Sequence, residues 1–196
     1  MITFNHDVHD QDELDDSLVL SPRHPNSRLE ASWLFLYEQL PPAEWYSEDY
    51  IYKTSGWLNI HADIRNRQHT LNQISEAYQL GHIEWSEYRL QSLPRINQYL
   101  MKLHHHHNIE DQAYFPTFIR MYPQLKSGFE VLDRDHARLD TLLNELQALN
   151  GQLARSESED KVLGKRVHEA LATVSALLSQ HLSDEEDLVI PILGLN

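Results

Sequence analysis

HHNIEDQAYFP at residues 106–116 and HLSDEEDLVIP at residues 181–191 are one phrase written twice: His-x3-Glu, an acid, two further residues, two apolar residues and a proline. On a helix, residues four apart lie one turn above each other on the same face. Each copy therefore presents an imidazole and a carboxylate to one point in space. His106 with Glu110, and His181 with Glu185, read as two halves of one metal site. The spacing alone is weak evidence, because a chain with 13 His yields roughly one His-x3-Glu by accident, and His9 with Glu13 is read as that accident. The shared tail is what accident does not supply, and its proline is expected to end or kink each helix.

Outward from these phrases, four long segments carry apolar seams at alternating steps of three and four. In the first, Trp57, His61, Ile64, Leu71, Ile74 and Tyr78 share a face before Gly81 offers a stop. The second, from about Ser86, carries Ile96, Leu100, Leu103, His106, Glu110 and Ala113, with Pro94 near its start and Pro116 near its end. After a loop from Pro123 to Gly128, the third runs Phe129, Leu132, His136, Leu139, Leu143 and Leu146 to Asn150-Gly151. The fourth runs Val167, Leu171, Val174, Leu178, His181, Glu185, Leu188 and Ile192. Each seam contains one His. Strand signals are weak, with no alternating β-branched runs. Short connections between long helices favour antiparallel neighbours, so the expected fold is all-α, an up-down-up-down four-helix bundle over residues 55–196. Residues 1–21 are acidic and poor in apolar side chains, and are expected to form a flexible arm. Residues 22–54 form an additional N-terminal helical and aromatic segment. There Ser27-x-x-Glu30 resembles a capping box opening a short helix through Leu34, Leu36 and Leu40, which Pro41-Pro42 stops. The aromatics from Trp33 to Tyr52 are expected to pack on the bundle, with a homodimer through this segment as the other use for them.

Composition narrows the function. A formal net charge of −14 argues against nucleic acid and anionic membrane surfaces, which attract basic patches. With no Cys, disulfides, thiolate zinc sites and iron–sulfur clusters are excluded, so any metal is held by nitrogen and oxygen. The N-terminus lacks the basic and apolar regions of a secretory signal, and no apolar run is long enough for a membrane span. A cytoplasmic location is the default expectation. No nucleophile motif or Gly-rich phosphate loop is present.

Imidazoles and carboxylates on core-facing seams are costly to desolvate unless paired or metal-bound. This chain places His61, His106, Glu110, His136, His181 and Glu185 on such seams. Neutral imidazoles with carboxylates suit a borderline divalent ion such as iron, zinc, manganese or cobalt, and two carboxylates can bridge a pair of ions. In the run His104 to His107, only one or two members can face the core, so His104 and His105 are read as solvated. His107 lies about 100° round from His106 and could reach the site from its edge. Asp140, one turn after His136, could ligate a metal or orient a ligand.

These residues carry a family resemblance. Trp57-Leu58-x2-His61, His106-His107-x-Ile109-Glu110-Asp111-x2-Tyr114-Phe115-Pro116, Gly128-Phe129-x2-Leu132-Asp133-x-Asp135-His136-x2-Leu139 and His181-x3-Glu185 closely resemble the hemerythrin-like, HHE cation-binding domains, from about Ser55 to Ile192. Myohemerythrin is itself a standard example of the up-down-up-down bundle. The resemblance implies a non-haem di-iron centre with His61, His106, Glu110, His136, His181 and Glu185 as ligands, and Glu110 and Glu185 as bridges. Zinc or manganese could substitute. The oxygen-carrying members have a second His on the third helix, one turn after the first, where this chain has Asp140. Asp140, His107, a tyrosine of the aromatic segment or water could fill that place. The implied function is binding or sensing of O2, NO or peroxide by a carrier, sensor or scavenger rather than a turnover enzyme. The alternatives are a peroxidase- or ferroxidase-like redox enzyme and a metal-stabilised interaction module. Ferritin-like oxidases use Glu-x-x-His motifs, which this chain lacks.

Overall fold

The computed structural model describes residues 20–196, and no strand occurs among them. Most of the expected acidic arm, and the His9/Glu13 pair, lie outside the described residues. Five helices follow in order: α1 (Ile51–Gln79), α2 (Trp85–Ile109), α3 (Phe115–Met121), α4 (Lys126–Arg155) and α5 (Lys161–Leu195). Helix α1 packs on α2 and α5, and α4 packs on the same two partners, which closes the four long helices into a ring. None of the helices is long and apolar enough to cross a membrane.

Local chemistry explains where the chain turns. Gly81 takes φ +72°, a left-handed conformation that glycine adopts without a Cβ penalty. The amide of Gly81 then bonds to the Tyr78 carbonyl and that of His82 to Ala77, the paired closure of a Schellman motif. Between α4 and α5, the Asp160 carboxylate accepts the Leu163 amide at 2.9 Å and caps the start of α5. Each link is short, so α1–α2 and α4–α5 are antiparallel hairpins.

Two apolar clusters fill the ring. One, around Ile64, Tyr88, Leu103, Leu143 and Val174, occupies the end near these turns. The other joins Trp57, Phe115, Phe129, Leu132 and Leu188 to Leu34, Leu36, Tyr37, Leu40 and Trp45 of the N-terminal segment. That segment thus closes the opposite end of the bundle, although Tyr46 and Tyr52 stay exposed.

Several expected boundaries move. The Ser27-x-x-Glu30 capping box does not form: Ser27 Oγ accepts the Leu29 amide, and the segment Ala31–Glu38 is a 3-10 helix with a kink at Leu34. Neither proline of the repeated phrase ends its helix. Between α2 and α3 the backbone widens into a π-helix, Glu110–Tyr114, so Pro116 falls in the first turn of α3, where a missing N–H costs little. Pro191 lies inside α5, which continues to Leu195. The glycines expected in loops, Gly128 and Gly151, are inside α4. At Gly128 the reason is closeness, because a Cβ there would stand 2.9 Å from a methyl of Leu188 on α5.

Candidate metal centre

All four long helices deliver imidazoles to the end of the ring beneath the N-terminal segment. His61 comes from α1, His106 and His107 from α2, His136 from α4 and His181 from α5; Glu110 opens the π-helix and Glu185 follows His181 by one turn. Their ligating atoms gather in two groups: His61, His106, Glu110 and Glu185 in one, His107, His136 and His181 in the other, each within 4.8 Å internally. The carboxylates link the groups. Glu185 turns Oε1 to His61 Nε2 at 3.2 Å and Oε2 to His181 Nε2 at 3.4 Å. Glu110 turns Oε1 to His106 at 2.9 Å and Oε2 to His136 Nε2 at 3.6 Å. His136 and His181 face each other through their Nε2 atoms at 3.1 Å.

The acid after each Glu reaches across to the other hairpin. Asp111 Oδ1 meets His136 Nδ1 at 2.7 Å, and Glu186 Oε1 meets His61 Nδ1 at 3.0 Å. A carboxylate oxygen accepts, so in each pair Nδ1 carries the hydrogen and the opposite ring nitrogen, Nε2, is directed inward. This is the outer contact that metal-ligating histidines ordinarily make. The Trp57 indole donates to Glu185 Oε1 at 2.8 Å. Aromatic rings wall the site: Tyr114 packs edge-on against Trp57 at 5.0 Å, and Phe115 stacks on His136 at 5.5 Å.

Residues 53–193 match the hemerythrin HHE cation binding domain family. The chain belongs to that family. No curated protein and no solved structure gave a significant match.

The fit of a cation to this hemerythrin-family site is tested by its own polar atoms. His61 Nε2, His106 Nε2, both nitrogens of His107, His181 Nδ1, both oxygens of Glu110 and Glu185 Oε2 are buried without a hydrogen-bond partner. Orphaned groups at this density, each costly to strip of water, cluster where a cation would satisfy most of them. Electrostatics agree. Burial lowers His106 to about 3, and lowers His107 and His181 as well, which keeps these rings neutral and ready to donate lone pairs. Burial also opposes charge on His61, yet the Glu185 and Glu186 carboxylates outweigh it and raise that ring to about 9. Burial and the neighbouring Glu185 push Glu110 well up, whereas Glu185, against burial, is held low by His61 and His181. The raised His61 and Glu110 both favour holding a proton when no metal is present, and an incoming cation would compete with those protons.

All six residues expected from the seams are brought together. Asp140 is not: its side chain is 54 % exposed and lies 3.6 Å from His104, outside both groups. His107, expected only at the edge, is 3 % exposed and supplies the third imidazole of the second group. Sequence reasoning missed Asp111, Glu186 and Trp57 as contacts of the centre. Their signals were visible in the acid repeated after each Glu and in the Trp one turn before His61.

Proposed function

We propose that this chain binds two iron ions, bridged by Glu110 and Glu185, and that the pair meets O2 or a related small ligand, NO or peroxide, as a carrier, sensor or scavenger. One observation carries the reading: each of these carboxylates offers its two oxygens to different imidazole groups. His61 and His106 would hold one ion, and His107, His136 and His181 the other. A donor set of nitrogen and oxygen without thiolate suits iron, with zinc or manganese as substitutes. Iron so held supplies reversible ligand binding or one-electron chemistry toward these small molecules.

The chain's own residues set the conditions for that chemistry. Asp111 and Glu186 orient two of the imidazoles, and the Trp57 N–H restrains Glu185. Trp57, Phe115 and Phe118, all buried, keep water from the ligand side chains.

The deciding experiment is elemental analysis of protein produced with ample iron, together with its absorption spectrum in air. About two irons per chain with near-ultraviolet oxo-bridge bands is the expected result. Less than one metal per chain, or zinc that stays colourless after anaerobic iron loading, would retire the oxygen reading.

A further inference from the structure

The family match starts at residue 53, and the segment before it delivers two guanidinium groups to acids buried on α4 and α5. Arg28 pairs with Asp135, and its backbone amide reaches Asp184 at 3.4 Å. Arg23 holds Asp187 through its backbone amide at 2.9 Å and through Nε, and holds Glu186 Oε2 through Nη2 at 2.7 Å. Asp135, Asp184, Glu186 and Asp187 are all buried, so each depends on such partners. Of the four, only Glu186 touches the metal centre. Its Oε1 serves both His61 Nδ1 at 3.0 Å and Arg65 at 2.6 Å. Its other oxygen is held by Arg23. Arg65 cannot replace that contact, because it loads the oxygen His61 already uses. The Arg23 guanidinium is itself braced 4.4 Å above the Trp45 ring. With both oxygens engaged, the Glu186 carboxylate cannot swing away from His61.

We propose that Arg23 is a positioning residue for the metal centre: by holding the second oxygen of Glu186 it keeps His61 aimed at Glu185 and slows release of the ion between them. The proposal rests on the metal-binding reading above. It gives the N-terminal segment a specific task in metal retention, beyond covering apolar surface.

The test is the rate at which full-length protein loaded with Co(II) yields metal to a strong chelator, with helicity recorded for every variant. Arg23→Ala and Glu186→Gln should each speed release of one ion about 10-fold. The double variant should release no faster than the faster single, because both changes break one contact. Arg23→Lys, which keeps the charge and loses the fork that spans Glu186 and Asp187, should fall between. Arg28→Ala loses pairing in the same segment and no contact to Glu186, so it should release like wild type. Equal acceleration in Arg28→Ala, or additive effects in the double variant, would overturn the proposal in favour of general loosening. If Arg23→Ala fails to fold, Glu186→Gln and Arg23→Lys carry the comparison. Wild-type protein that retains no Co(II) overturns the metal reading itself, whereas retained metal with unchanged release from Arg23→Ala overturns only the role of Arg23.

Discussion

His107 shows what a single residue can add to a site that periodicity describes only in part. An ideal seam assigns one of two adjacent helical residues to the core, and His106 takes that place. The centre, however, spans more of the bundle interior than one seam. His106 joins His61 on the α1 side, and His107 joins His136 and His181 on the side of α4 and α5. Both neighbours face ligands because they face different ones. His107→Ala is therefore expected to leave about one metal ion per chain by elemental analysis, while Asp140→Ala leaves the content unchanged. Metal loss in Asp140→Ala with none in His107→Ala would reverse the assignment. The six seam residues were legible because imidazoles and carboxylates set among leucines at helical spacing must be paired or metal-bound to be tolerated there. The repeated acid marked Asp111 and Glu186, but which imidazoles they serve was not legible, since those partners lie on other helices and sequence spacing says nothing about which hairpins meet.

At the scale of elements, the four long helices and the Gly81 stop could be read from apolar periodicity, and the ends less well. Pro116 was expected to end or kink its helix, and the helical path instead runs on through a π turn into α3. Ser27 found a nearer amide than the capping box requires. Such outcomes depend on local hydrogen-bond competition that residue type does not settle. Close helix approach is likewise invisible until neighbours are known. A Cβ on Gly164 of α5 would run into Cε1 of the Tyr78 ring. That ring is held by its neighbours, stacking on Tyr88 at 4.6 Å and tilting against Trp85 at 5.4 Å. Gly164→Ala should destabilise the protein by about 1–3 kcal/mol through overpacking. The lower thermal midpoint should come with unchanged metal content, since this contact belongs to the cluster away from the centre. A loss of metal would mean that the two ends are coupled.

For the molecule as a whole, the metal-free state carries a pH signature. His106, lowered to about 3, and His107 and His181, also lowered, resist protons that the unfolded chain accepts once pH falls below 6.5. Stability is lost over that range. His61 works in the opposite sense: raised to about 9, its contribution is complete below 6.5 and disappears as pH rises toward 9. Glu186, held at about 2 against burial by His61 and Arg65, contributes fully above 4.5 and adds to the loss in acid. The thermal midpoint of chelator-treated protein should peak near pH 6.5 and fall more steeply on the acid side. A midpoint that rises toward pH 5 would contradict these assignments. The crossing of the two outer acids has one more consequence. Asp111 belongs to the first hairpin and serves an imidazole of the second, while Glu186 belongs to the second and serves an imidazole of the first. Neither hairpin owns a finished pair, so the centre acts as a proofreader of docking. Sliding one hairpin along the other by a single helical turn, about 5.4 Å, would part both pairs together, and a cation would reward only the alignment in which the halves meet in register.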